Sequence, residues 1–226
     1  MAIYVIADLH LSLGTNKPMD VFKGWNNYVE KIKFNWQSVV KMEDTVIIPG
    51  DISWAMQLEE CKKDFEFINS LNGKKILLKG NHDYWWTTMK KMNEFVEKNN
   101  FTTISFLFNN CYIVENIAIC GTRSWFFETG EEQDLKVINR EYNRLKMSLD
   151  MAKDNEKIVF LHYPPMFQNI SSENIINLLK ENNVKKCYYG HLHGEAIKYA
   201  TQKNINGIEY KLISADSLDF MPYKLN

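Results

Sequence analysis

The chain of 226 residues contains five histidines, and each stands in a short motif at the end of an apolar run. The motifs with histidine are Asp8-Leu9-His10, Gly80-Asn81-His82-Asp83, Leu161-His162-Tyr163-Pro164 and Gly190-His191-Leu192-His193, and a further apolar run ends in Gly50-Asp51. Imidazole is the commonest metal ligand in proteins, and its proton moves near neutral pH. Histidines confined in this way predict one metal-dependent active site.

The motifs supply enough ligands for two metal ions. Asp8 and His10 are two residues apart at the end of a predicted strand, so both side chains can lean to the same side and hold one ion. Asp51 has two carboxylate oxygens and can bridge two ions. Counted in this way, one site consists of Asp8, His10, Asp51 and His193, and the other of Asp51, Asn81, His162 and His191. Oxygen and nitrogen ligands without a thiolate suit Mn, Fe, Zn or Co.

Such a centre favours chemistry on an anionic substrate. Only two formal carboxylate charges, those of Asp8 and Asp51, would balance two divalent ions. Two ions about 3.5 to 4 Å apart can ionise a bridging water and stabilise an in-line displacement at phosphorus. His82 is the one histidine left without a metal in this count, so it is free to donate a proton to the leaving oxygen. The prediction is hydrolysis of a phosphomonoester or phosphodiester by attack of a metal-bound hydroxide.

The elements that must position these residues alternate between strands and helices. Short β-branched runs predict buried strands at 3–6, 45–48, 75–78, 117–120, 158–161 and 187–189, and apolar stripes predict helices within 25–40, 58–71 and 135–149. Adjacent strands are expected over 103–108, 111–115 and 117–120, and a closing strand pair over 195–201 and 208–215. The alternation indicates an α/β layered fold, in which all five motifs follow strands and meet at one sheet edge.

The five motifs, in this order, resemble the calcineurin-like metallophosphoesterase superfamily, whose pattern is DxH, GD, GNH[ED], H and GHxH. A single Asp-Leu-His or Gly-Asp is more often a turn or a helix cap, but the ordered set is specific and runs from Asp8 to His193. The resemblance implies a four-layer αββα sandwich of two mixed β-sheets flanked by helices, with a dinuclear centre and with His82 as the catalytic histidine. The chain also looks like bacterial proteins described only as predicted phosphohydrolases.

The sequence departs from the protein phosphatases of that superfamily after Gly50-Asp51. Those enzymes continue as GDxVDRG, whereas this chain reads Ile52-Ser53-Trp54-Ala55-Met56. Trp54 therefore replaces the aspartate that steadies the catalytic histidine in the family. A phosphoprotein substrate is less expected for this reason, and another group must orient His82, for which the adjacent Asp83 is a candidate.

Substrate contacts are expected from one arginine and from aromatic residues near the motifs. Arg123 follows a predicted strand, and its guanidinium could grip a phosphate or pair with a surface carboxylate. Four tryptophans, Trp54, Trp85, Trp86 and Trp125, could form a wall on which a nucleobase stacks, with Tyr84, Phe126 and Phe127 beside them, although aromatic residues are more often core. Asp216 and Asp219 are expected to be loop or cap residues.

The composition limits the compartment and the partners. The formal net charge is −1, from 27 basic and 28 acidic residues, so a long nucleic-acid polymer or a membrane surface is not expected to bind. The four cysteines form no disulfide framework, and the first apolar stretch, 1–7, lacks a basic leader. We therefore expect a cytoplasmic protein with one metallophosphoesterase domain over 1–226, acting on a small phosphorylated substrate. The alternatives are a non-catalytic metal-binding scaffold for other proteins, or a nuclease.

Overall fold

A computed structural model of the protein describes residues 1–125 and 132–225. The strands in chain order are β1 (Ile3–Val5), β2 (Thr45–Pro49), β3 (Lys74–Leu78), β4 (Ile104–Phe106), β5 (Tyr112–Val114), β6 (Ile117–Thr122), β7 (Glu156–Leu161), β8 (Met166–Phe167), β9 (Ile170–Ser171), β10 (Lys186–Tyr189), β11 (Asn204–Ile205), β12 (Ile208–Leu212) and β13 (Tyr223–Lys224). The α-helices are α1 (Tyr28–Val39), α2 (Lys62–Ser70), α3 (Met89–Lys98), α4 (Glu132–Met151) and α5 (Glu173–Glu181).

Two large mixed sheets carry the fold. The first has the strand order β13-β1-β2-β3-β4 and the second the order β11-β12-β10-β7-β6-β5, while β8 and β9 form a small separate ribbon. Strands β1 to β4 run parallel, as do β6, β7, β10 and β12, and the antiparallel strands β13, β5 and β11 lie at the sheet edges. The carboxyl ends of the parallel strands in each sheet therefore lie at a common edge.

Alternation along each strand builds the layers, because successive side chains point to opposite faces of a sheet. In β1, Ile3 and Val5 pack between the two sheets, against residues such as Phe160 and Tyr188 of the second sheet. Tyr4 faces the other way and packs with residues of α1 to α3. A third cluster covers the outer face of the second sheet with residues of α4 and α5. These layers confirm the predicted four-layer sandwich of helices, two sheets and helices.

The two sheets are joined by backbone hydrogen bonds just before the first motif. The amide of Ala7 donates to the carbonyl of Ile213 at 2.8 Å, and the amide of Ala215 donates to the carbonyl of Ala7 at 2.9 Å. Because Ala7 directly precedes Asp8, this bridge sets the first motif at the line where the sheets meet.

Two of the expected strand groupings are wrong. The run 103–108 does not lie beside 111–115, because β4 pairs in parallel with β3 of the first sheet while β5 pairs with β6 of the second. The stretch expected as a strand over 195–201 forms a 3₁₀ helix over Gly194–Tyr199, and β12 pairs instead with the short β11. The described residues include no helix long and apolar enough to cross a membrane.

Lys75 gives the fold a measurable pH dependence. Its ammonium group lies in the interior and donates to the carbonyls of Leu71 and Gly73 at 2.6 and 2.8 Å. Burial lowers the pKa of Lys75 to about 8. Between that value and the pKa of about 10.4 in an unfolded chain, the unfolded state binds more protons. The cost of charging Lys75 is therefore fully present below about pH 8 and is relieved as the pH rises.

We expect Lys75→Met to remove this dependence. The unfolding free energy of the wild type, relative to the variant, should rise from pH 8 to 10 by at most about 1.4 kcal/mol per pH unit. Urea unfolding of both proteins across this range measures the difference, in which the titrations of all other groups cancel. Lys74→Met, at the exposed neighbouring position, controls for the loss of one charge. Parallel curves for wild type and Lys75→Met would contradict the assignment.

Candidate metal centre

The seven predicted metal ligands meet at the common edge of the two sheets. Two groups have ligand atoms within 4.8 Å of one another, namely Asp8 with His10 and His193, and Asp51 with His162 and His191. Asn81 joins the second group, because its Oδ1 lies 2.6 Å from Nε2 of His162 and 2.9 Å from Nδ1 of His191. Five segments that are far apart in the sequence thus form one cluster.

The loops after β1 and β2 run side by side and carry the two carboxylates. The amide of Asp8 donates to the carbonyl of Gly50, and the amide of His10 donates to the carbonyl of Asp51, each at 2.9 Å. Asp8, His10, Asp51 and His191 all have a positive φ, between 46° and 73°. This conformation is uncommon for residues other than glycine and costs about 1 to 3 kcal/mol at each position. The fold maintains it where these side chains turn toward one another.

Glycine is required where the loops approach closely. A Cβ atom on Gly80 would lie 2.1 Å from Oδ1 of Asp51, and one on Gly50 would lie 2.4 Å from Nδ1 of His162. No side chain fits at such distances. The glycines of the Gly-Asp and Gly-Asn-His-Asp motifs thus allow Asp51 to lie against the loop after β3.

The spacing of the donor atoms fits metal ions. Nε2 of His10 lies 3.3 Å from Nε2 of His193 and 3.7 Å from Oδ2 of Asp51. Nε2 of His193 lies 3.6 Å from Oδ1 of Asp8. Ligands that bind one ion at about 2.0 to 2.2 Å are separated by distances of this size. The lone pairs therefore converge as they would around cations.

Burial prepares three of the four predicted imidazole ligands to bind metal. Burial lowers the pKa of His162 to about 3 and that of His191 to about 4, and it lowers the pKa of His10 well below its usual range. These three rings are neutral at pH 7 and offer a lone pair, as a metal ligand must. Burial would also lower the pKa of His193, but the carboxylates of Asp8 and Asp216 raise it to about 10.

Asp216, expected only as a loop or cap residue, lies in a short 3₁₀ helix and also contacts a predicted metal ligand, which the sequence did not reveal. Its Oδ1 lies 2.8 Å from Nδ1 of His193, and its Oδ2 accepts a hydrogen bond from the amide of Gly194 at 3.0 Å. A carboxylate in this position fixes the ring orientation and leaves Nε2 to bind metal. Asp216 stands 23 residues from His193 in a short 3₁₀ helix, so no local spacing connects the two.

Asp216→Asn should therefore weaken metal binding without abolishing it. The loss of an outer partner of this kind typically costs about 10- to 100-fold in metal affinity or activity. Calorimetric titration of metal-free protein with Mn²⁺ measures the change, and Asp219→Asn in the same tail serves as the control. An unchanged affinity in Asp216→Asn would show that the contact does not support the ligand.

Asp83 holds the loops of the centre and does not orient His82. Its carboxylate is fully buried and accepts hydrogen bonds from the amide of Gly80 at 2.7 Å and from the amides of Ile52 and Ser53 at 2.9 and 3.2 Å. The indole of Trp85 donates to it at 3.0 Å. Burial raises the pKa of Asp83 to about 6 despite these four donors. The side chain ties the loop after β2 to the loop after β3.

His82 lies beside the ligand groups and contacts Trp54. Its amide donates to Oδ1 of Asp51 at 2.8 Å. Its ring centroid lies 4.5 Å from that of Trp54, 5.8 Å from that of His10 and 6.1 Å from that of Tyr84. Its Nδ1 is buried and has no hydrogen-bond partner among the described residues. The ring is thus held by packing, and no carboxylate of the described residues hydrogen-bonds to its Nδ1.

The predicted aromatic wall is largely used for packing. Trp85 is only 2% exposed, although it is among the residues that line a pocket. Trp86 is also buried. Trp54 stacks on His10 at 4.9 Å, with Lys17 Nζ lying 5.3 Å from its ring centroid. Phe126 and Phe127 lie outside the described residues.

Similarity to known proteins agrees with this geometry. A family model described as "Calcineurin-like phosphoesterase" matches residues 1–195. An uncharacterized protein of Methanocaldococcus jannaschii is 31% identical over 86 residues, which span 36% of this chain and 46% of that relative's own length. The matched part is therefore less than half of that protein.

Solved structures share the fold at low sequence identity. A protein of Thermus thermophilus has a TM-score of 0.62 at 13% identity, covering 99% of this chain and 97% of that one. A phosphopantetheinyl hydrolase from Mycobacterium tuberculosis has a TM-score of 0.58 at 13% identity, covering 94% and 88%. A purple acid phosphatase from yellow lupin has a TM-score of 0.50 at 14% identity, covering 94% of this chain and 43% of that one.

Proposed function

The chain belongs to the calcineurin-like phosphoesterase family, and on that premise we propose that it hydrolyses phosphate esters with two divalent metal ions. The observation that carries the proposal is the position of Asp51 between the two ligand groups. Its Oδ2 lies 3.7 Å from Nε2 of His10, and its Oδ1 lies 3.5 Å from Nε2 of His162. One carboxylate thus faces both groups, as a bridging ligand must.

The proposed ligands divide into two sets that share this carboxylate. Asp8, His10, Asp51 and His193 would hold one ion, and Asp51, Asn81, His162 and His191 would hold the other. When bound, such ions supply Lewis acidity at a phosphoryl oxygen and a water of lowered pKa. Asp8 and Asp51 provide the two formal negative charges in these sets, so the loaded centre attracts an anionic ester.

His82 is the proposed proton donor to the leaving oxygen. It lies outside both ligand groups, yet its amide is fixed by Asp51 and its ring by Trp54. Trp54 stands where the protein phosphatases of the family place an aspartate, so ring packing takes over the orienting role. We propose Trp54 as a positioning residue, because its ring packs against the rings of both His10 and His82.

The substrate is proposed to be small. A pocket of about 610 Å³ is lined by residues that include Met56, Tyr84 and Lys91; neither His82 nor a proposed metal ligand lines it, and it approaches the centre through Tyr84, whose ring centroid lies 6.1 Å from that of His82. Pockets of about 300 to 1,000 Å³ suit small molecules. We also propose that the chain forms a single domain, since the bridge through Ala7 joins both sheets at the active edge.

Turnover of two model esters tests the proposal. With Mn²⁺ added, the protein should hydrolyse p-nitrophenyl phosphate or bis-p-nitrophenyl phosphate, and the ratio of the two rates reports its preference for monoesters or diesters. Elemental analysis of the same sample should give two ions per chain. A protein that holds its metals and hydrolyses neither ester would contradict phosphoesterase activity.

A further inference from the structure

Lys17 lies next to the proposed catalytic histidine without belonging to either ligand group. Its Nζ lies 5.3 Å from the ring centroid of Trp54, and the same ring packs against the rings of His82 and His10 at 4.5 and 4.9 Å. The residue is exposed, and it makes no ion pair within residues 1–125 and 132–225. A positive charge without a carboxylate partner therefore lies beside the metal centre, on the side of His82.

The loop that carries Lys17 is fixed on both sides of this residue. Before Lys17, the amide of Leu13 donates to the carboxylate of Asp64 at 2.7 Å. After it, the side chain of Met19 is buried in the core that α1 to α3 form with the first sheet. Anchors four residues before Lys17 and two residues after it hold the backbone in place. The side chain is thus directed over the ring of Trp54.

The arginine that the sequence suggested for the substrate is engaged elsewhere. Arg123 lies 3.9 Å from the carboxylate of Glu141, and its Cζ lies 4.8 Å from the ring centroid of Trp125. Its side chain is only 14% exposed. The cavity that it lines has a volume of about 10 Å³, which is no more than one water molecule needs. In this arrangement Arg123 has no room for a phosphate group, so another cation must recognise the charge of the substrate.

We propose that Lys17 contacts the phosphate group of the bound substrate and selects a dianionic phosphomonoester over a monoanionic phosphodiester. The inference rests on the proposed function of the same centre. An ammonium group attracts a dianion twice as strongly as a monoanion at the same distance. The flexible four-carbon stem of a lysine lets its ammonium move from the face of Trp54 to an oxygen at the centre. Lys17 is therefore a specificity-determining residue that touches the substrate.

Calorimetry on the Mn²⁺-loaded protein tests this role with two matched probes. Phenylphosphonate is a dianion above its second pKa, and its monomethyl ester is a monoanion of similar shape. The wild type should bind the dianion more tightly than the monoanion. The ratio of the two dissociation constants should fall by about 5-fold or more in Lys17→Met, because the second negative charge loses its cation. Lys17→Arg, which keeps the charge, should retain most of the ratio.

Lys23→Met is the matched control, because Lys23 is an exposed lysine of the same loop and follows the buried Met19, whereas Lys17 precedes it. This control should keep the ratio of the wild type, and elemental analysis should find two ions per chain in all four proteins. A purely structural role for Lys17 would leave the ratio unchanged in Lys17→Met, since methionine keeps an apolar stem against Trp54.

Three results would overturn the role of Lys17. They are equal binding of both probes by the wild type, a ratio that survives Lys17→Met, and loss of the metal ions in Lys17→Met. Hydrolysis of p-nitrophenyl phosphate separates this inference from the proposed function. An inactive protein with a Lys17-dependent ratio would support the phosphate contact and contradict hydrolysis. An active protein whose ratio does not depend on Lys17 would overturn the role of Lys17 alone.

Discussion

Replacing Asp51 with asparagine is expected to empty both metal positions and to reduce turnover by at least about 1,000-fold. The two carboxylate oxygens of Asp51 face different ligand groups, at 3.7 Å from His10 and 3.5 Å from His162. A neutral amide offers one acceptor oxygen and no charge. Each position therefore loses an anionic ligand at once, and a 1,000-fold loss corresponds to about 4 kcal/mol of transition-state stabilisation.

The charge around Asp51 strengthens this expectation. Burial raises the pKa of Asp51 well above its usual range, and the neighbouring carboxylates of Asp8 and Asp83 raise it further. Cations at the centre relieve both effects, because they replace lost solvation and screen the carboxylates from one another. The metal-free protein should thus be less stable than the loaded protein, whereas Asp51→Asn should gain little stability from added Mn²⁺.

Elemental analysis and kcat/KM on p-nitrophenyl phosphate measure the outcome for Asp51→Asn. Asp64→Asn is the control, because Asp64 is a buried carboxylate that binds Ser53 and Leu13 and belongs to neither ligand group. It should retain two ions per chain. If Asp51→Asn kept both ions at wild-type affinity, Asp51 would not be the bridging ligand.

The second large effect is expected for His82→Ala, which should keep both ions and lower kcat by about 100- to 10,000-fold. The ring of His82 lies outside the two ligand groups, while its backbone amide, which the substitution keeps, donates to Asp51. The fall should appear mainly in kcat, since a proton donor acts on charge that develops in the transition state.

The leaving group makes this prediction specific to proton donation. p-Nitrophenolate leaves as a stabilised anion, so it needs a proton less than an alkoxide does. The loss in His82→Ala should therefore be near the lower end of the range for p-nitrophenyl phosphate and larger for an alkyl phosphate. Tyr84→Phe, which alters an exposed neighbour of His82, should change neither rate by more than about 3-fold. Loss of the metals in His82→Ala would show that the division of roles is wrong.

Trp54 illustrates how much the sequence could say about His82. The sequence identified Trp54 as the residue in place of the family's aspartate, and it named Asp83 as a candidate to orient His82. In the folded chain the carboxylate of Asp83 is occupied by four donors from the loops and Trp85, and Trp54 lies against the ring of His82. Two side chains touch only if both point toward each other. That Asp83 is adjacent to His82 in the sequence does not determine whether their side chains do so.

The sequence by itself indicated an α/β layered fold and the sheet edge at which the motifs meet, and the family resemblance added the number of layers. Alternate residues of a strand face opposite sides, so the apolar runs of β1, β2 and β7 implied sheets covered on both faces. Parallel strands end at one edge, so the motifs that follow them had to gather there. The residue type of each proposed ligand was also visible in the sequence, since histidine, aspartate and asparagine at strand ends serve no packing purpose.

Only the tertiary structure decided the contacts between distant segments. Asp216 reaches His193 because the tail after β12 returns along the edge of the first sheet, where Ala215 hydrogen-bonds to Ala7. Arg123 reaches Glu141 because α4 packs across β6. Trp85 is buried in the core, where its ring packs edge-on against Phe65. The spacing of apolar residues along a strand or helix indicates which of its side chains are buried. The partner of a side chain across the fold is set by how the elements pack, which no local spacing records.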